Sequence, residues 1–275
     1  MRTLVPSVAA LVLVAACSDA PVGPRGLPCA RGTLARGTGV ESTIAGSACT
    51  TTEGSATRAY ADYDVDLTEG ERYVFTLRSS DAWKPLLELR DPSTGAFVRS
   101  GWVTGAGEAG TTAEMLYVAP QSGRFTLRVR EADSGAGAYT LHSQICGGSS
   151  TEIFSSQTVG AEGTIDAADC VVHDRWLDAD SAHAETFVVY VNRAETKRVT
   201  LAARGGSTFV GAVIVVGAFE RDASAWTRAV ASGASQVSLD LTGPSDKGGT
   251  YMIVAAGNTI ANLGDYTLTV GPPAP

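Results

Sequence analysis

The chain has 275 residues, of which 44% are hydrophobic, 18% charged and 7% aromatic; that balance excludes an intrinsically disordered chain, and the length allows one or two domains. A net charge of −8 with a pI near 4.9 leaves no basic footprint for phosphates, which excludes nucleic acid as a partner. No apolar run reaches the roughly eighteen residues that a membrane-spanning helix needs.

Residues 1–16 carry one positive charge at Arg2, then an apolar stretch from Leu4 to Ala16 that ends in small residues. This is the form of a secretory signal peptide. The step Val14-Ala15-Ala16-Cys17 resembles the bacterial lipobox, in which the cysteine thiol receives diacylglycerol. Cys17 is therefore the expected lipidation site, and several acyl chains on one residue give stable anchoring. Ser18 follows where an Asp would favour inner-membrane retention, so the expected place is the outer membrane or cell surface. Residues 17–28 hold three Pro and two Gly, the composition of a flexible tether.

From Cys29 onward the sequence is written twice. Thr43-Ile44 stands six residues before Cys49, and Thr164-Ile165 stands six before Cys170. Tyr73–Leu77 matches Lys197–Leu201, Gly123–Leu127 matches Gly249–Ile253, and Gly137–Leu141 matches Gly264–Leu268. The copies span 29–145 and 146–271, with 272–275 as a tail. Four cysteines in an exported chain imply disulfides and allow three connectivities. Duplication selects Cys29–Cys49 and Cys146–Cys170, one in each copy.

Both copies carry strand patterns. Phe125, Leu127 and Val129 alternate with Arg124, Thr126, Arg128 and Arg130, and Tyr73, Phe75 and Leu77 alternate likewise. Period two is the mark of a half-buried strand. Turn residues recur at Thr68-Glu-Gly70, Asp91–Gly95 and Pro120–Gly123. Strands are predicted near 60–67, 72–78, 85–90, 96–102, 113–118, 124–130 and 138–143. The run Phe209–Phe219 lacks alternation, which suits a strand covered on both faces by the other domain. The predicted fold class is all-β: two tandem β-sandwich, jelly-roll-like domains.

Gly163-Thr-Ile165 with Cys170, Leu87-Glu-Leu89 with Asp91 and Thr94-Gly95, Ala119-Pro-Gln-Ser-Gly-Arg-Phe125-Thr-Leu, and Gly137-Ala-Tyr139-Thr-Leu together resemble the bacterial pre-peptidase C-terminal domain. The resemblance implies non-catalytic, jelly-roll-like modules of the kind appended to secreted proteases. Some members bind calcium through an Asp-rich stretch after the LxLxDxxG strand. Here Arg99–Glu108 contains no aspartate.

Candidate chemistry is thin. The three histidines, His142, His173 and His183, accompany no G-x-S-x-G elbow, and no C-x-x-C or H-E-x-x-H spacing occurs. His142 reads as an exposed strand-end residue. Asp166, Asp169, Asp174, Asp178, Asp180 and Glu185 form an acidic stretch that reads as a solvated loop, since its spacing is not that of a calcium loop. Arg124, Arg128 and Arg130 make an outward stripe that reads first as a charged face keeping the sheet from pairing edge to edge, with an anionic glycan or lipid phosphate as the alternative. Trp83, Trp102, Trp176 and Trp226 are candidates for sugar stacking. No catalytic residue, metal site or cofactor is expected. The function read from the sequence is a non-catalytic, lipid-anchored envelope or cell-surface binding and adhesion protein, with the membrane and an envelope glycan or secreted protein as partners. The alternative is an accessory or stability module for a separately encoded secreted hydrolase or protease.

Overall fold

The computed structural model describes residues 29–44, 49–53, 56–79, 83–100, 102–104, 111–132, 137–146, 152–153, 159–173, 181–217, 229–243, 245 and 248–273. The leader 1–16, the lipidation residue Cys17, the tether 17–28, Asp174, Asp178, Asp180, Trp176 and Trp226 lie outside the described residues.

The first copy forms β1 (Ala30–Thr33), β2 (Gly39–Ile44), β3 (Thr50–Glu53), β4 (Ala56–Leu67), β5 (Arg72–Ser79), β6 (Pro85–Arg90), β7 (Phe97–Ser100), β8 (Trp102–Thr104), β9 (Thr112–Val118), β10 (Gly123–Glu131) and β11 (Gly137–Ile145). The second forms β12 (Glu152–Ile153), β13 (Val159–Ile165), β14 (Cys170–His173), β15 (Ser181–Val191), β16 (Thr196–Ala203), β17 (Gly211–Gly217), β18 (Ala229–Ala234), β19 (Gln236–Thr242), β20 (Gly249–Gly257) and β21 (Gly264–Gly271).

These strands make four sheets, two per copy, in matching orders. In the first copy the outer sheet runs β1-β4-β10-β6-β7 with β3 on β4, and the inner sheet runs β2-β11-β5-β9-β8. In the second copy β12-β15-β20-β17-β18, with β14 on β15, repeats the former, and β13-β21-β16-β19 repeats the latter. Pairing is antiparallel except where β1 meets β4 and β12 meets β15. Two sheets face to face around one apolar layer make a sandwich, and the chain holds two.

Alternation decides which side chains enter each core. In the first sandwich Tyr63, Val65, Phe75, Leu77, Leu127 and Val129 point inward. The Tyr63 and Tyr139 hydroxyls meet at 2.7 Å within that core. In the second, Phe187, Val189, Leu201, Val213, Ile253 and Tyr266 do the same. The turn into β5 closes with Glu71 N–H donating to the Thr68 carbonyl at 3.1 Å, and Gly70 takes φ 79° there, a conformation costly for other residues.

A third apolar layer joins the sandwiches. Val74, Leu116 and Val118 from the inner sheet of the first meet Ala184, Ala212, Ile214, Val216, Met252 and Val254 of the second. Strand β17 is therefore covered on both faces: Val213 and Val215 belong to its own core, and Ala212, Ile214 and Val216 to the seam. Burying a side chain of this size is worth about 1.5–3 kcal/mol, so the seam is a strong joint.

Comparing register between copies shows how the seam arose. Val74 and Leu116 face each other across β5 and β9, whereas the equivalent positions in the second copy hold the ion pair Arg198–Asp240 at 2.7 Å. Conversely Ile214 and Val254 of the seam occupy the positions of Glu88 and Arg128 in the first copy. Each copy has thus kept one face polar and made the other apolar.

Candidate functional site

Part of the first sandwich's inner sheet remains uncovered by the second, and β14 stands beside it as a wall. Between them lies an open cleft of about 530 Å³. Arg78 on β5, His142 and Gln144 on β11, and Glu41 on β2 come from the first sandwich, and Val171 and His173 on β14 come from the second. The site exists only because the two copies are docked.

Its back wall is a buried polar relay. Glu114 on β9 is fully buried. Its carboxylate accepts the His173 backbone N–H at 3.0 Å on both oxygens, and the Thr76 hydroxyl at 3.2 Å. Oε2 also lies 2.8 Å from His173 Nδ1. At the other side of the ring, His173 Nε2 meets the Arg78 guanidinium. Arginine can only donate, so Nε2 accepts, and Nδ1 carries the proton that it donates to Glu114. Burial pushes the Glu114 carboxyl above its ordinary value, against the lowering effect of the His173 hydrogen bonds. A further bond crosses the seam from Val171 N–H to Gln144 Oε1 at 3.0 Å.

His142 sits at the open side, packed over Gly39. A Cβ at position 39 would come within 2.9 Å of the His142 ring, so glycine leaves room for the imidazole there. Its Nδ1 is buried without a hydrogen-bond partner. The expectation of an exposed strand-end histidine is thus corrected: His142 is half-buried inside β11.

Carboxylate, imidazole and a third group in line have the order of a general-base relay. The ring nitrogen that a nucleophile would use is instead taken by Arg78. This arrangement holds the cleft wall in place and leaves donors on its surface.

The other sequence candidates fall elsewhere. The arginine stripe is neutralised within its own sheet: Arg128 grips Asp62 with both ends at 2.8 and 2.9 Å, Arg130 pairs with Glu88, and Arg124 reaches Asp66 at 3.1 Å. Trp83 is only 5% exposed and packs edge-on against Tyr139, so it has no face for a sugar. The side chain of Trp102 lies outside the described residues. Asp166 and Asp169 spend their carboxylates on backbone N–H groups of their own turn, and His183 Nδ1 lies 3.0 Å from the Asp169 carbonyl. Among the described residues no group of three or more His, Cys, Asp or Glu converges as a metal site would require. Disulfides join Cys29 to Cys49 and Cys146 to Cys170.

Sequence reasoning missed the cleft because its members stand far apart in the chain. The repeat carried a signal. Arg78, Glu114 and His142 occupy positions held in the second copy by Ala202, Ser238 and Thr269, and His173 occupies the position of Thr52.

No protein-family model matches the chain, and no curated protein matches it. Among solved structures it is similar to the pre-peptidase C-terminal domain of collagenase from Bacillus anthracis, at 16% identity over 42% of this chain and 93% of that one, with a TM-score of 0.31. It is also similar to the N-terminal CBM22-1-CBM22-2 tandem domain of Xyn10C from Paenibacillus barcinonensis, at 12% identity over 86% of this chain and 92% of that one, with a TM-score of 0.24.

Proposed function

We propose that this chain is an exported, lipid-anchored, non-catalytic binding protein of the bacterial envelope, and that it binds through the cleft between its two sandwiches. The observation that carries this reading is the cleft itself: a solvent-open concavity, built by both copies, in which Arg78, His142 and His173 stand where the repeat has Ala202, Thr269 and Thr52. Ligand sites favour such seams between domains. The motif resemblance to pre-peptidase C-terminal modules and the two disulfides fit an exported module of this kind. Anchoring through Cys17 and the tether 17–28 would hold the cleft near the membrane surface with freedom to reorient.

The test uses the mature chain with Cys17→Ser, applied to an array of immobilised bacterial envelope polysaccharides and screened for esterase, protease and glycosidase turnover. Saturable retention on the array without turnover is the expected result. Absence of retention, or turnover that persists through further purification, overturns the reading.

A further inference from the structure

Resting on the cleft as the binding site, we infer that it takes the carboxylate of an acidic sugar. Arg78 uses one N–H on His173, and its remaining N–H groups have no partner among the described residues. A guanidinium with free donors in a fixed fork is matched to a carboxylate. The relay behind it fixes the fork, because Arg78 is held to His173 and His173 to Glu114.

His142 supplies the second donor. A buried N–H without an acceptor is rarer in proteins than an unfilled lone pair, so we assign the lone pair to its orphaned Nδ1 and the proton to Nε2. His142 lines the cleft together with Arg78, and Nε2–H is then the donor that its ring can offer.

Charge favours a carboxylate over a phosphate. The cleft offers one full positive charge, from Arg78, and Glu41 at its rim opposes a dianion more strongly than a monoanion. The rest of the lining suits hydroxyls: Glu41 accepts, and Thr140 and Gln144 both accept and donate. Val171 offers an apolar contact for a ring C–H face. A volume of about 530 Å³ lies within the range of small-ligand sites.

The experiment is calorimetric titration of the mature Cys17→Ser chain with D-glucuronate, its neutral methyl ester, inorganic phosphate and D-alanyl-D-alanine. Glucuronate is expected to bind at least tenfold more tightly than each of the other three. Arg78→Lys, which keeps the charge and loses the fork, and His142→Ala, which touches none of the seam bonds, should each weaken glucuronate at least tenfold. Melting temperatures of both variants verify that they are folded. Equal binding of acid and ester, equal binding of phosphate or dipeptide, or unchanged affinity in both folded variants overturns the assignment. Retention on the polysaccharide array together with no glucuronate binding sinks this inference and leaves the proposed function standing.

Discussion

Glu114 and His173 belong to different sandwiches, and one carboxylate of the first receives both the backbone N–H and the ring of the second, at 3.0 and 2.8 Å. Glu114 is fully buried, so the contact lies where an unmet donor or acceptor is costly. Glu114→Ala leaves two donors of His173 without acceptors, and the expected cost is about 2–4 kcal/mol. Urea unfolding measures it; a change below about 0.5 kcal/mol would contradict the relay.

The same residue gives a pH dependence with a definite sign. Burial raises the Glu114 carboxyl in the folded chain above its ordinary 4.5. The folded state therefore holds a proton that the unfolded state has already released. This stabilising contribution is complete below the unfolded value and is lost as pH rises through the folded one. The stability of the wild type relative to Glu114→Gln should fall as pH rises above the ordinary carboxyl value of 4.5. A difference that stays flat, or grows with pH, refutes the shift.

Ile214 is 2% exposed in the seam and stands where the first copy has Glu88. Ile214→Glu places an unpaired charge among Val74, Leu116 and Met252, at a cost of about 4 kcal/mol or more. The expected outcome is separation of two folded sandwiches, seen by small-angle scattering as a larger radius of gyration with the β circular dichroism retained. A variant as compact as the wild type shows that the seam tolerates the charge.

Cys146 follows the last strand of the first sandwich, and Cys170 opens β14, the cleft wall. Replacing both with Ala releases a crosslink over a sequence separation of 24 and should cost about 3 kcal/mol. Because β14 carries His173, glucuronate binding should weaken before the second core melts. Equal melting of the reduced and oxidised wild type would contradict this coupling.

Lipidation is tested by metabolic labelling with palmitate. Label is expected in the wild type and absent in Cys17→Ala. Equal labelling of the two removes the anchor from the proposed function.

Much of the fold was legible because strands announce themselves through side-chain alternation. Phe125-Thr-Leu-Arg-Val and Tyr73-Val-Phe-Thr-Leu each name their buried face, and the broken alternation of Phe209–Phe219 foretold a strand covered twice. The leading strands β1, β2 and β3 were not predicted, since Ala-Arg-Gly-Thr and Thr-Thr-Thr-Glu offer no apolar face and lie at sheet margins. The site was less legible. Outward positions such as Arg78 and Glu114 look alike in sequence whether water or a second domain lies above them. Only the docking of a distant segment, 171–173, gives them a common purpose.

The two sandwiches meet by unlike sheets, with no two-fold axis to close the contact, and such head-to-tail contacts can in principle propagate into a fibre. Here growth is terminated chemically. The free sheet of the first copy bears the Arg128–Asp62 and Arg130–Glu88 pairs, and that of the second bears Arg198–Asp240 and the Thr200–Ser238 hydroxyl pair. A third unit on the second copy's face would have to strip water from Arg198 and Asp240, and one on the first copy's face would lay apolar side chains against ion pairs that already sit buried. Divergence between the copies therefore disfavours stacking of another unit on either face, as polar end caps do in longer solenoids.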